Sequence, residues 1–172
     1  MPDAPEIPEA KDPFEKQVAI SIAALAVALS VIGNKGDNAK TDAIIQTNES
    51  ANQWARFQSK SIKGTIARAE SDILSRIQAV STDTPKHINW LKNEITRYDA
   101  DEKEITALAK TAQEQASKAS DINDRCDHAA LALQIAIVIA SVSILSRWRV
   151  LWFIALALGA VGTMIGVSAF RL

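Results

Sequence analysis

The sequence predicts an all-α integral membrane protein with three transmembrane helices and a long antiparallel helical hairpin, a coiled-coil stalk, inserted between the first and second spans. Three observations predict this class. Apolar residues are gathered into residues 18–32, 129–146 and 150–170 instead of being spread as one globular core. Between the first two of these lies a polar segment, residues 37–128, whose apolar residues recur in alternating steps of three and four. The turn-forming tip 81–85, Ser81-Thr82-Asp83-Thr84-Pro85, divides that segment into two arms, 38–80 and 85–127, of 43 residues each.

A polar, Pro-rich tail comes first. Residues 1–12 hold three of the five prolines and no periodic apolar pattern, which reads as an extended leader or a partner-binding arm. Asp3, Glu6, Glu9, Asp12 and Glu15 outweigh Lys11 and Lys16, the wrong charge for a cleaved secretory signal, so the next segment is expected to be an uncleaved anchor, with an interfacial helix as the alternative. Asp12 as N-cap, Pro13 in the first helical position and Glu15 three residues after the cap predict a helix start. Residues 13–33 are the first expected transmembrane helix. Its apolar run, 18–32, has 15 residues and is about 22 Å long. Phe14 and the snorkelling stems of Lys16 and Lys35 extend it towards the ~30 Å hydrocarbon layer. Gly33-Asn34-Lys35-Gly36 is expected to end this helix, with Asp37 or Asn38 capping the next.

In the first arm the row runs Ile44, Asn48, Ala51, Ala55, Gln58, Ile62, Ile66, Ala69, Ile73, Ile77 and Val80. Thr84 and Pro85 open the second arm, whose row runs Ile88, Leu91, Ile95, Tyr98, Glu102, Ile105, Ala109, Ala112, Ala116, Ala119, Asn123 and Cys126. Equal arms predict a simple hairpin paired about a centre near Asp83, which sets Ile62 near Ile105, Ala69 near Tyr98, and Ala51 and Ala55 opposite Ala116 and Ala112. Alanine against alanine buries little area, so at ~25 cal/mol per Å2 the proximal half is expected to need further neighbours.

Residues 129–146 and 150–170, of 18 and 21 residues without a charge, are the second and third expected spans. Arg147, Trp148 and Arg149 between them, with Trp152 just beyond, are expected to anchor a tight turn at the membrane interface. Ala132, Ala136 and Ala140 recur at every fourth place, as do Ala155, Gly159 and Thr163, while Gly162 and Gly166 make a GxxxG. Together with Ala51, Trp54, Ala55, Phe57, Ala112 and Ala116, these small and aromatic residues are the expected packing positions of a homo-oligomer surrounded by membrane lipid.

Chemistry-bearing clusters are sparse. Asp124, Cys126, Asp127 and His128 have metal-ligand side chains, but Cys126 and His128 point about 200 degrees apart on a helix, so they are expected to be interfacial polar residues. No metal, cofactor or catalytic residue is expected, since phosphate-loop, zinc and EF-hand spacings are missing. The single cysteine excludes an intrachain disulfide, and a formal net charge of -1 lacks the basic footprint that nucleic acid requires. Gln134, the one amide inside the three apolar runs, is expected to hydrogen-bond between helices.

The run Asn52-Gln53-Trp54-Ala55-Arg56-Phe57-Gln58-Ser59-Lys60-Ser61-Ile62-Lys63, with Phe14-Glu15-Lys16 before it and the Arg-rich hairpin after it, resembles a bacterial family known as domain of unknown function 4337. An aromatic commonly stands in that family where Arg56 stands here. The resemblance implies a small bacterial membrane protein with three spans and a coiled-coil stalk, and brings no ligand or catalytic residue with it.

Three spans put the tail and the 147–149 turn on one side and the stalk on the other. Weighting the shortest loop by the positive-inside rule predicts a cytoplasmic turn and a periplasmic stalk in the bacterial inner membrane. The expected function is that of a homo-oligomeric membrane scaffold without catalytic activity. The alternatives are a channel or transport-associated subunit whose spans ring a pore, and a transmembrane sensor or adaptor. An unidentified protein partner is expected at the stalk or the tail.

Overall fold

The computed structural model describes residues 13–77 and 84–171. Among them are three helices and no strand: α1 (Pro13–Arg76), α2 (Thr84–Ser146) and α3 (Arg149–Ala169). The expectations for the tail 1–12, for Val80 and for tip residues 81–83 lie outside the described residues. Pro85 falls in the first turn of α2, where its missing N–H would have had no helical partner. The chain forms two compact units, one from residues 13–41 and 118–171, the other from Asp42–Ser117. Both α1 and α2 contribute to each.

The expected break at Gly33-Asn34-Lys35-Gly36 does not occur, and the first apolar run and the first arm are one helix. Neither glycine takes a positive φ, so neither provides the left-handed residue that ends a helix. Gly36 instead permits a close approach, since a Cβ placed there would lie 2.9 Å from the Cβ of Cys126 on α2. At Gly36 contact with α2 thus counters the entropic cost of glycine inside a helix, about 1 kcal/mol. Likewise no boundary separates the second arm from the second apolar run, which are both part of α2.

In the first unit the inward row of α1 is Val18, Ile22, Leu25, Leu29, Ile32, Gly36 and Ala39, in strict steps of four and three. Leu25 and Ile32 pack with Cys126, Ala129, Leu133 and Ala136 of α2 and with Ala169 of α3. At the other end of these helices Phe14, Val18, Ala140 and Ala155 form a second cluster, flanked by Ile22, Ile139, Ile144 and Trp152. Ser143 is buried beside them and donates its hydroxyl to the Ala140 carbonyl at 2.8 Å, which satisfies it without a partner helix.

In the second unit α1 and α2 run antiparallel. The α2 row expected from spacing turns inward as far as this unit extends: Leu91, Ile105, Ala109 and Ala112 are buried, and Ile88, Ile95, Tyr98, Glu102 and Ala116 are half-buried. The α1 row does not. The residues of α1 that face α2 are Ala43, Gln46, Ser50, Gln53, Phe57, Lys60, Gly64, Ala67, Ser71 and Leu74, while the expected row of Ile44, Ile62, Ile66, Ile73 and Ile77 lies on the outside. The reason is complementarity of size. Leu91, Ile95, Tyr98 and Ile105 supply the bulk from α2, and small residues of α1 let the backbones come close.

The register shifts with the face. Tyr98 meets Gly64 instead of Ala69: a Cβ on Gly64 would sit 3.5 Å from the Tyr98 Cβ. Ser50 donates to the Ala109 carbonyl at 3.1 Å, and Lys60 pairs with Asp101 at 2.7 Å. These pairs are centred near residue 80, about three residues before Asp83, so the expected opposition of Ala51 and Ala55 with Ala116 and Ala112 is not formed.

Candidate functional surfaces

The expected packing positions divide into two groups. Ala136, Ala140, Gly159, Gly162 and Gly166 are buried, and Ala132 is half-buried, all within one chain. Gly159 lies against Leu25, Gly162 against Ala132 and Leu133, and Gly166 against Ile32. These small-residue rows therefore bring α1, α2 and α3 of a single copy together, which is the close-packing role such rows serve in lipid. Ala112 is buried and Ala116 half-buried in the α1–α2 contact, whereas Ala51 and Ala55 are exposed. Phe57 belongs to the inward row of α1, and Trp54 packs edge-on against it with ring centroids 5.6 Å apart.

The anchors around the α2–α3 turn form a connected group. Arg147 adopts φ 52, the left-handed conformation that reverses the chain, and Trp148 precedes α3 in extended conformation. Arg147 and Trp148 are exposed. The Arg149 guanidinium lies over the Phe14 ring at 5.7 Å, and Phe14 meets Trp152 edge-on at 5.9 Å. Trp152 donates its indole N–H to the Ser21 hydroxyl at 3.3 Å. A basic, aromatic and hydroxyl cluster of this kind combines an apolar body with polar tips, the chemistry favoured at a membrane–water boundary.

Polar groups of the second unit are mostly engaged between or along its helices. Lys60 pairs with Asp101, Arg68 with Asp99, and His87 with Glu70 at 2.8 Å. The hydrogen bond from Lys60, with its positive charge, holds the Asp101 carboxyl below its ordinary pKa. Glu102 stands in the inward row with one carboxylate oxygen shielded and lacking a hydrogen-bond partner, beside the space left by Gly64. Trp90 is exposed and stacks on His87 with ring centroids 5.6 Å apart.

The Asp124, Cys126, Asp127 and His128 residues do not converge. Cys126 turns inward against Gly36, and burial pushes its thiol above the ordinary range. His128 is exposed, and its Nδ1 lies 2.6 Å from the Asp124 carbonyl, while Asn123 donates to Asp127. No group of three or more His, Cys, Asp or Glu side chains is placed to hold a metal ion among the described residues.

Gln134 was expected to bond between helices, and it does not do so within one chain. Its side chain is on the exposed face of α2, inside the most apolar part of that helix, and has no hydrogen-bond partner among the described residues. The sequence puts the amide inside a candidate span; which face it takes depends on the α2 row, which the 4–3 spacing carries as far as Ile144.

Each of the three helices has a stretch long and apolar enough to cross a membrane, and α1 and α2 pair along their length, which defines an all-helical protein with three candidate membrane spans. The chain belongs to the family described as a domain of unknown function, DUF4337, which matches residues 14–172. No curated protein and no solved structure matches it.

Proposed function

We propose that this protein is a homo-oligomeric scaffold of the bacterial inner membrane, without catalytic activity, that crosses the bilayer three times and carries the paired segments 42–117 outside it as a coiled-coil stalk. Membrane insertion is supported by how little of the apolar surface is covered: 17%, 28% and 22% of the residues in the most apolar stretches of α1, α2 and α3 are buried. Lipid is the solvent that accepts the remainder. The polar, ion-paired character of residues 42–117 keeps that part in water, and the positive-inside reading of Arg147 and Arg149 sets it in the periplasm.

Gln134 carries the oligomer reading. An unpaired amide facing hydrocarbon is unfavourable by a few kcal/mol, and a second copy is the simplest source of a partner. The test is the mass of the complex extracted into native lipid nanodiscs, measured particle by particle. Two or more copies are expected; a uniform single copy refutes the scaffold. A second reading, a channel or transport-associated subunit, is favoured by Ser141, seven residues after Gln134 on the same exposed face. It requires that face to line a wet axis, and ion conductance in planar bilayers separates the two.

A further inference from the structure

The outside of α1 in the second unit is an open face that no other part of the chain covers among the described residues. Twelve positions make up its outward face between Ile44 and Ala69: residues 44, 45, 48, 51, 52, 55, 58, 59, 62, 65, 66 and 69. All are exposed and none is charged. The equivalent twelve outward positions of α2, residues 89 to 114, are also all exposed, and five of them are charged: Arg97, Lys103, Glu104, Lys110 and Glu114. Two faces of one helix pair, equally open, differ in kind: α2 is dressed for water and α1 is not.

Most of the charges that flank these twelve positions are drawn inward, Lys63 excepted, and past Ala69 the same face carries the exposed pair Asp72 and Arg76. Glu49 accepts from Gln53, Arg56 donates to Gln53, Arg68 pairs with Asp99 and Glu70 with His87. Left outside among the twelve are Ile44, Ile45, Ile62 and Ile66, between 55% and 61% exposed. At on the order of 100 Å2 each they present roughly 400 Å2, half of the about 800 Å2 that one partner gives to a standard interface, before the alanines between them are added.

We infer that this outward face of α1 is the contact between copies of the chain, packed parallel and in register on the same face of a second copy. The inference rests on the membrane-anchored oligomer proposed above, because copies fixed in one bilayer stand the same way up and their contact axis runs along the helices. The pairing of like with like follows from charge. Set against the α2 face of a neighbour, the α1 face would cover Arg97, Lys103, Glu104, Lys110 and Glu114 with no charge of its own to offer them; set against itself, its twelve positions bury none. Its spacing of Ile44, Asn48, Ala51, Ala55, Gln58 and Ile62 alternates four and three, as a left-handed helix contact requires. Parallel alignment brings Asn48 opposite its own copy, and polar residues inside such a contact fix register.

The test uses the full chain in lipid nanodiscs with one added cysteine at a time, Ile62→Cys, Ile66→Cys or Lys103→Cys, and a short bismaleimide. Buried Cys126 stays in place and the unaltered chain supplies the background. Covalent dimers are expected from Ile62→Cys and Ile66→Cys at ten times or more the yield from Lys103→Cys. Ile62→Glu with Ile66→Glu should shift the particle mass to fewer copies while circular dichroism keeps the helix content. If the unaltered chain is a single copy, the oligomer itself is wrong. If it is multimeric but links through Lys103→Cys, or through none of the three, the oligomer stands and this contact does not. Quenching of labels at residues 62 and 66 by lipid-phase quenchers, without cross-links, shows that the face lies on the bilayer and overturns the inference as well.

Discussion

Two glycines three residues apart in α1 should respond to the same substitution in opposite ways. At Gly33 an added methyl group meets no atom within 4 Å, so Gly33→Ala keeps the full helix-propensity gain, about 0.5–1 kcal/mol. At Gly36 the added Cβ falls 2.9 Å from the Cys126 Cβ. Carbon atoms prefer about 3.5–4.0 Å, so α1 and α2 must part locally by roughly half an ångström or more. Overpacking of this kind disfavours the fold by about 1–3 kcal/mol, which outweighs the propensity gain. The clash is between Cβ atoms, which cannot swing aside as a side-chain end does. The two variants should therefore differ by about 1–3 kcal/mol, or several degrees in thermal midpoint for a chain of this size. The assay is thermal unfolding of each variant in the same detergent, followed by circular dichroism. Cys126→Gly in the Gly36→Ala background should restore part of the loss. If Gly36→Ala is as stabilising as Gly33→Ala, the close approach of α1 to α2 at this point is wrong.

Further outcomes follow from the same contacts. Leu91→Ala, which empties a buried position between α1 and α2, should destabilise by about 2–5 kcal/mol in denaturant titration. Glu102→Leu removes a shielded carboxylate oxygen without a partner and should stabilise by about 1 kcal/mol or more in the same titration. Asp101 has its pKa lowered by the Lys60 hydrogen bond, so that bond's contribution is present above the ordinary carboxylate range and lost as pH falls through the lowered value. The gap in thermal midpoint between the unaltered chain and Lys60→Met should accordingly be widest at neutral pH and close on acidification; a gap independent of pH contradicts the pairing. Gln134→Leu should weaken association by about 0.6–2 kcal/mol, read as a roughly three- to thirty-fold shift in the association constant when the protein is diluted in lipid.

Much of the fold can be read from residue type because the relevant residues are large or chemically blunt. Uncharged runs of 18 and 21 residues give the last two candidate spans, and the third helix begins and ends within one residue of its expected bounds. Leu91, Ile95, Tyr98 and Ile105 make the α2 row plain. The α1 row is hidden because its inward residues are small or polar, Ser50, Gln53, Gly64 and Ser71 among them, and acquire their place only from the bulk opposite. Following the isoleucines selects the wrong face of the helix, and with it the wrong register. Gly33 and Gly36 look like a helix end for a related reason. The same residue type ends a helix through positive φ or admits a close neighbour, and only the tertiary contact with Cys126 decides which. The outward position of Gln134 depends likewise on which α2 face meets α1 and α3.

The central claim is a protein that crosses the bilayer three times with residues 42–117 standing on one side and the α2–α3 turn on the other. Labelling by a membrane-impermeant maleimide of Lys103→Cys and of Arg147→Cys, in right-side-out and in inverted inner-membrane vesicles, tests it most directly. Lys103→Cys should react only in right-side-out vesicles and Arg147→Cys only in inverted ones. Reaction of both from the same side, or of Lys103→Cys from neither, contradicts the account.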